Sequence, residues 1–490
     1  MTHVISIPSH LNTMKRILLS ACLASCLLTL ASAAKQPNVL FIFADDMSFE
    51  TIGAVGKTAC KTPNLDKLME SGTHFSNTYN MGSWAGAVCV ASRAMLNTGC
   101  FLNRANEGVT KYPLWSELMR GAGYKTYMTG KWHVKVKPPF DVVKNVRGGM
   151  PRCKGGYNRP KDMDDYLNGW KPWDKSLGGF WQGGTHWSEV VANDSIEFIE
   201  QASKDDQPFF MYLAFNASHD PRQSPKEYID MYPLDSIKVP KNYLAEYPYK
   251  DAIGCSNGLR DEKLAPFPRT ELAVKVHRQE YFALVTHMDA QIGRILEALK
   301  KSGQADNTIV IFTADHGLSV GHHGLLGKQN MYDHSMRVPF FIAGPGIKSG
   351  GVNKTPIYLQ DAMATTLELA KIDKPEHVEF KSLLPLLKGE EENHYDLIYG
   401  KYLDRQRMIT KGDFKLIMYP KAKKMRLFNT AKDSEEMNDL IENPEYAPKL
   451  AELKADFLKL QKAMGDDLDV DQPKPSSRKK KKKKKKKKGQ

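Results

Sequence analysis

The sequence predicts an α/β sandwich, a large, mostly parallel central sheet between helices, joined to a smaller C-terminal α+β subdomain. Three observations carry this. Short, continuous apolar runs recur as "NVLFIFADD" (38–46), "PFFMYLAFNASHDP" (208–221) and "NTIVIFTADHG" (307–317), as in strands buried on both faces. Helical patterns such as "EYFALVTHMDAQIGRILEALKKSG" (280–303), stopped by Gly303, lie between them. Late in the chain the pattern changes to short strands with turns and then one helix, so 391–470 is read as a separate, smaller unit.

Taken in order, the first element is an export signal. Lys15 and Arg16 precede the run "ILLSACLASCLLTLASAA", which leaves through Ala31-Ser32-Ala33, so cleavage is expected near Ala33 and 1–34 is set aside as a signal peptide. The run is short for a membrane span. "LASC", ending at Cys26, also resembles a lipoprotein processing site, the less favoured alternative. Residues 35–390 are read as the main domain. Within it, 135–185 is rich in Gly, Pro, Trp and Lys, which predicts long surface loops of the kind that build pockets over a sheet. A fourth apolar run, "VPFFIAG" (338–344), follows the third. In the last unit, "LIYGKYLDRQRMITKGDFKLIMYPKAKKMRLFNT" supplies the short strands and "YAPKLAELKADFLKLQKAM" the helix.

Residues 471–490 are expected to form a disordered, solvated tail. They hold Lys474, Arg478 and the ten lysines Lys479 to Lys488 against Asp471, a net +11 out of +14, which leaves +3 for the rest. The folded body is therefore not strongly basic, and its charge gives no case for nucleic-acid binding. The tail alone invites contact with polyanions. Of seven cysteines, Cys22 and Cys26 leave with the signal; Cys60, Cys89, Cys100, Cys153 and Cys255 remain, an odd number in an exported chain. A disulfide partner, a core side chain and a catalytic group are all open readings of Cys89.

The first three apolar runs end in Asp45-Asp46, His219-Asp220 and Asp315-His316. Ligands of open α/β sheets bind beyond the carboxyl ends of the strands. One such acid is often only a turn or cap, but three pairs at equivalent places would meet at one rim. Repulsion among Asp45, Asp46 and Asp315 calls for a cation, and carboxylate oxygens favour calcium or magnesium; His316 is a less typical ligand for these. "GYKTYMTGKWH" (123–133) places Lys131 and His133 just past a predicted strand, two residues apart and so on one side of extended backbone.

These residues bring a family into view. "CVASR" at 89–93 resembles the sulfatase signature Cys-x-Pro-Ser-Arg, with Ala91 where proline is usual, and "GYKTYMTGKWH" resembles the second sulfatase signature. The early Asp-Asp, the His219-x-Pro221 element and the late Asp-His followed by "GLLGK" fall in the family's order, from about residue 37 to at least 345. The Asp-His pair resembles the iduronate-2-sulfatase branch. The resemblance implies an alkaline-phosphatase-like fold and a formylglycine made from Cys89 by a formylglycine-generating or anaerobic sulfatase-maturating enzyme. It also implies one calcium held by Asp45, Asp46, Asp315, His316 and the modified Cys89. It gives Arg93 and Lys131 to the hydrated aldehyde, Lys328 and His219 to sulfate oxygens and the leaving group, and His133 to the final deprotonation. "SRAML" is expected to begin a helix whose positive end suits a sulfate ester. Cys60, Cys100, Cys153 and Cys255 then become an even set of undefined pairing.

The implied substrate is a sulfate ester, with a sulfated carbohydrate favoured over choline or aryl sulfates. Arg222 and Gln223, beside the expected sulfate site, with Trp84 and His323, are candidate substrate contacts; surface exposure or core packing is the plain alternative for each. Two rivals stay open. One is a phosphodiesterase or phosphonate hydrolase of the same superfamily, with His322, His323 and His334 offered to a second metal. The other is a catalytically silent binder of sulfated glycan.

Overall fold

The computed structural model describes residues 35–154 and 160–471, with residues 1 and 3. The expected signal peptide and the lysine run at 479–488 lie outside the described residues.

An eight-stranded sheet runs in the order Gly351–Asn353, Thr73–Phe75, Phe340–Ala343, Thr308–Ala314, Asn38–Ala44, Phe209–Ala214, Lys125–Lys131 and Val142–Arg147. At its centre, Asn38–Ala44 pairs in parallel with both Thr308–Ala314 and Phe209–Ala214. Val39 to Phe43 are fully buried. Burying one such side chain is worth about 1.5–3 kcal/mol, so a strand apolar at every position belongs where both faces are covered. The covering helices pack in two groups: Pro63–Glu70, Trp187–Ala202 and Glu271–Lys301 in one, and Val88–Thr98, Trp115–Gly121 and Asp361–Leu369 in the other. Trp115 packs edge-on against Phe41 of the central strand, ring centroids 4.9 Å apart. The sheet is thus held between helices, as the apolar runs predict.

The structure differs from the sequence reading in three places. Phe340–Ala343 pairs antiparallel with Thr308–Ala314. A parallel return needs a crossover of a dozen or more residues, usually a helix. The link between these strands has only the one-turn helix Asp333–Met336, and its remaining residues loop over the strand ends. The helix seen from residue 280 starts at Glu271, where Thr270 accepts the Ala273 N–H at 3.1 Å; buried His277, Arg278 and Gln279 mask its apolar pattern. The loop region 135–185 contains the strand Val142–Arg147, an edge strand whose Lys144, Asn145 and Arg147 hide it among polar residues.

A second sheet runs in the order Lys424–Asn429, Phe414–Tyr419, Gln406–Lys411, Ile398–Tyr402 and Gly82–Ser83, with the helix Ala447–Ala463 packed on it. The first four strands form antiparallel hairpins, and Gly82–Ser83 joins in parallel. A Cβ at Gly82, where φ is +86°, would lie 2.0 Å from the Lys401 carbonyl oxygen, so only glycine permits this join. The short strand ties the segment leading to Cys89 to the C-terminal sheet. Cys60, Cys100 and Cys255 are buried free thiols, so the even set of cysteines is not used to cross-link them.

Candidate active site

Register levels the strand ends. Ala44 lies beside Ala314 and Phe43 beside Ala214, so the residues that follow emerge at one height. The Asp315 N–H donates to the Ala44 carbonyl at 3.1 Å and the Asp45 N–H to the Ala217 carbonyl at 2.9 Å, carrying the pairing one step past each strand. Asp46 then turns at φ +61°, a conformation aspartate tolerates better than most residues, and its N–H donates to Asp315 Oδ1 at 3.1 Å. All of Asp45, Asp46, Asp315 and His316 are buried.

Cys89 is brought to this rim by the helix Val88–Thr98, which starts before the "SRAML" segment and holds Cys89 in its first turn. No side chain caps that terminus, so its first N–H groups and the positive end of the helix dipole are left for a ligand. The sulfur lies 3.3 Å from Lys328 Nζ, 3.5 Å from His316 Nε2 and 3.8 Å from Asp46 Oδ1. Burial opposes ionisation of this thiol, yet the Lys131 and Lys328 ammonium groups, with hydrogen bonds from His133 and His316, hold its pKa well below the ordinary value.

Three cations interleave with the carboxylates. Arg93 Nε donates to Asp315 Oδ2 at 3.0 Å and its Nη1 to the Lys131 carbonyl at 2.8 Å, while the guanidinium stacks over Phe43. Lys131 Nζ pairs with Asp45 Oδ2, and Lys328 Nζ donates to both oxygens of Asp46 at 2.7 Å. Burial works against Asp315 as an anion, but His316, Arg93 and Lys131 hold its carboxyl down at about 2. Burial, with repulsion from Asp315, raises Asp45 instead.

His219 Nε2 lies 3.6 Å from Asp46 Oδ2, its Nδ1 faces Asp220, and burial pushes it down to about 4. His133 reaches Cys89 by a different route from simple strand alternation. Lys131 ends its strand, Trp132 packs against Phe140 and Tyr212, and a left-handed turn at His133, φ +52°, swings the imidazole inward. Just upstream, Gly130 pairs with Ala214 so closely that a Cβ would meet the Ala214 carbonyl oxygen at 1.9 Å.

Asp45, Asp46, Cys89, Asp315 and His316 offer ligand atoms that all lie within 4.8 Å of one another. The set fits a divalent ion of hard character. Carboxylate oxygens dominate it, and Asp45 Oδ1 is buried without a hydrogen-bond partner among the described residues, as is Arg93 Nη2. Burying charge costs several kcal/mol per ion, and three carboxylates here face three cations.

The substrate candidates are buried or half-buried. Arg222 is 1% exposed and its Nη1 pairs with His277 Nδ1, while Gln223 is buried and accepts the Phe180 N–H at 2.8 Å. Both brace the loop from inside, so the surface position weighed for Arg222 is not what the fold presents. His323 is buried, stacked on Tyr332 with centroids 3.9 Å apart, and Asn242 bonds it, so solvent exposure is not its position. Trp84 is half-buried against the same second core. His322 is bound by Asn242 and Glu50, and no group of metal donors among the described residues includes His322, His323 or His334. The second donor group that does occur is Asp46, His219 and Asp220.

Three supporting residues carried no sequence signal. Asn80 donates to the Asp315 carbonyl, Tyr281 OH donates to the Asp46 carbonyl at 2.7 Å, and Arg260 pairs with Asp220. Each comes from a segment remote in sequence from the residue it holds.

Comparisons with known proteins identify the family. The profile of the family Sulfatase matches residues 37–372, and that of N-sulphoglucosamine sulphohydrolase, C-terminal, matches 321–463. An arylsulfatase of Clostridium perfringens is 29% identical, covering 86% of this chain and 94% of its own. An N-acetylglucosamine-6-O-sulfatase of Bacteroides thetaiotaomicron is 25% identical over 95% and 93%. A solved structure in complex with its substrate D-glucosamine-2-N,6-O-disulfate shares the fold with a TM-score of 0.69 at 24% identity, covering 89% of this chain and 99% of that one. The phosphonate monoester hydrolase of Agrobacterium radiobacter also shares it, with a TM-score of 0.67 at 22% identity over 87% and 96%. With the family profile spanning both signatures and all the strand-end acids, this chain belongs to the sulfatase family, of the alkaline phosphatase superfamily, and is a sulfuric ester hydrolase.

Proposed function

We propose that the chain is an exported sulfatase that removes sulfate from a sulfated carbohydrate, using a nucleophile made from Cys89 and one calcium ion. The observation that carries this is Cys89 itself, in an uncapped first helical turn among the buried Asp45, Asp46, Asp315 and His316 and the cations Arg93, Lys131 and Lys328. The carbohydrate is supported by relatives named for N-acetylglucosamine-6-O-sulfate and ulvan, and export by the basic-apolar-small pattern of 15–34. We take 35–390 as the catalytic domain and 391–470 as a subdomain that closes over it.

Asp45, Asp46, Asp315, His316 and residue 89 would hold the calcium, which supplies Lewis-acid neutralisation of a sulfate oxygen. Oxidation of Cys89 by a formylglycine-generating or anaerobic sulfatase-maturating enzyme supplies an aldehyde whose hydrate is the attacking hydroxyl. Arg93 and Lys131 place positive charge beside residue 89 and favour its ionised form. Lys328, whose Nζ lies 3.3 Å from the sulfur of Cys89, and His219 meet the sulfate oxygens and assist protonation of the leaving oxygen. His133, whose Nδ1 is buried without a hydrogen-bond partner among the described residues, accepts the proton that restores residue 89.

Peptide mass spectrometry of protein co-produced with a maturating enzyme tests this, with sulfate release from defined sulfated saccharides measured in parallel. The expected result is an aldehyde at position 89, one calcium per chain, and turnover of a saccharide sulfate. A thiol at 89 in fully active protein overturns the reading. Two metals per chain, with phosphonate monoesters preferred to every sulfate ester, assigns the chain to the rival chemistry instead.

A further inference from the structure

We infer that Gly149 is a positioning residue for His133: its bare backbone is a wall against which the imidazole rests, and Asn216, from the turn that carries His219, fixes that wall. The inference rests on the function proposed above, in which His133 accepts a proton. The ring needs such a support. His133 is only half-buried, leaves its strand in a left-handed turn, and has no hydrogen-bond partner at Nδ1 among the described residues. Its hydrogen bond to Cys89 is the contact it must keep in order to act. A Cβ built on Gly149 would lie 2.6 Å from the ring Cε1, 2.8 Å from Nε2 and 3.1 Å from Nδ1. The glycine therefore lies against the edge of the ring that carries both nitrogens, the atoms through which an imidazole moves a proton.

The wall is itself anchored. The strand Val142–Arg147 pairs with Lys125–Lys131 as far as Lys131 and Arg147, and the Trp132 N–H donates to the Arg147 carbonyl at 3.2 Å. The chain then runs through Gly148 to Gly149 at the His133 ring. Buried Asn216 donates from Nδ2 to the Gly148 carbonyl at 3.1 Å, and its own carbonyl accepts the His219 N–H at 3.1 Å. One residue thus ties the turn that holds His219 to the wall behind His133. Space, and not backbone strain, makes Gly149 necessary. Neither Gly148 nor Gly149 has a left-handed φ, and a Cβ at Gly148 would meet nothing within 4 Å. Carbon atoms in ordinary contact stand about 3.5–4.0 Å apart, so a methyl at position 149 would drive the ring off by about 1 Å while Asn216 holds the backbone. A displacement of that size at a reacting group can cost about a hundredfold in rate.

The test compares wild type with Gly149→Ala, Gly148→Ala and Asn216→Ala. Crystal structures of the unmodified thiol form, which needs no maturation, read the ring position; kinetics of mature enzyme on 4-nitrophenyl sulfate and N-acetylglucosamine 6-O-sulfate read its consequence. In Gly149→Ala the His133 ring is expected about 1 Å from its wild-type place. Its kcat should fall about a hundredfold, with KM within a few-fold because Lys328 and His219 keep their contacts with sulfate. The desulfated alcohol should appear in a burst of about one per chain ahead of slow turnover, since it departs before His133 accepts its proton. Gly148→Ala should leave the ring in place and lose far less of kcat. Asn216→Ala, which frees the wall without adding a group, should show the same burst with a smaller loss, and it carries the test if Gly149→Ala does not fold. An unmoved ring in Gly149→Ala, a moved ring with wild-type kcat, a loss without the burst, or equal losses in the two glycine variants overturns this inference alone. Absence of sulfate release from every ester by mature wild type defeats the proposed function and takes this inference with it.

Discussion

At the strand rim, Asp45, Asp46 and Asp315 meet Arg93, Lys131 and Lys328; between the two sheets, Asp333 and Glu436 meet Lys415 and Arg337. Both clusters are buried, except that Arg337 is partly exposed, and both mix the two signs of charge. They differ in how fully they are satisfied. In the second cluster all four carboxylate oxygens have a donor. Lys415 Nζ takes Asp333 Oδ1 and, at 2.7 Å, Glu436 Oε1; Arg337 Nη1 takes Asp333 Oδ2 at 3.2 Å; the Asp333 N–H takes Glu436 Oε2 at 2.7 Å. At the rim, Asp45 Oδ1, Arg93 Nη2 and His133 Nδ1 have no hydrogen-bond partner among the described residues. Among the described residues the second cluster leaves Arg337 Nε without such a partner, but it is closed at its carboxylates and holds the C-terminal sheet in place. An open one stores binding capacity, at a cost in stability that only a ligand can offset.

Removing a member of each cluster should therefore have opposite consequences. Cys89→Ala and Asp315→Asn are expected to lower kcat/KM by a thousandfold or more, about 4 kcal/mol of transition-state stabilisation, with thermal midpoints equal to or above wild type. Stripping calcium with a chelator should mimic the loss, and added calcium should reverse it in wild type. Sulfate release and calorimetry on the same samples decide the matter; a variant that loses activity only as far as it unfolds would place the rim among structural clusters.

Lys415→Met should do the reverse. Leaving Asp333 and Glu436 buried without their shared cation is expected to cost about 3–5 kcal/mol of stability, while kcat per folded molecule stays near wild type. Denaturant midpoints and active-site titration separate the two quantities. A drop in kcat at full folding would show that the clusters are coupled.

How legible the two clusters were in the sequence follows the same divide. Strand-end acids announce themselves, because a fully apolar run that stops at Asp-Asp or Asp-His has only its carboxyl end to offer. Asp45, Asp46, Asp315 and His316 were readable for that reason, and Cys89 and Lys131 through their signatures. The antiparallel course of Phe340–Ala343 was not readable, because pairing direction depends on where the preceding loop goes. Nor was the inward course of Arg222, since an arginine in a polar loop reads the same whether it faces solvent or His277. Arg260, Asn80 and the Asp333–Lys415–Glu436 network depend on contacts between segments far apart in the chain, and a single charged residue carries no periodicity to betray its partner.

The closed network also has a pH signature. Burial, reinforced by the Asp333 carboxylate, pushes Glu436 up to about 7 against its neighbour Lys415. Its folded value thus lies above the ordinary 4.5, so its contribution to stability is complete below about 4.5 and fades as pH rises through 7. Between pH 5 and 7 the loss amounts to about 2 kcal/mol. Glu436→Gln, which keeps the shape and fixes the neutral form, should flatten that slope in urea unfolding curves taken at both pH values. An unchanged slope would assign the pH dependence to another group.

The smallest expected effect concerns charge that belongs to neither cluster. Lys479 to Lys488 form a run without a single acidic residue, in contrast to the alternation of signs at both buried sites. Like charges at this density repel one another and attract polyanions, and a sulfated polysaccharide is the polyanion that the proposed activity brings close. Such attraction acts between exposed charges and weakens with salt, whose screening length is about 10 Å at 0.1 M. It raises the local concentration of polymer without altering chemistry at Cys89. Deleting 474–488 should accordingly leave turnover of a small sulfate ester at its wild-type value, and slow action on a sulfated polymer several-fold at low ionic strength. At high salt the two forms should converge. The salt dependence is the discriminating measurement, because a tail that only aids solubility would give the same polymer kinetics as the truncated enzyme at every ionic strength, and the polyanion contact would then have to be given up.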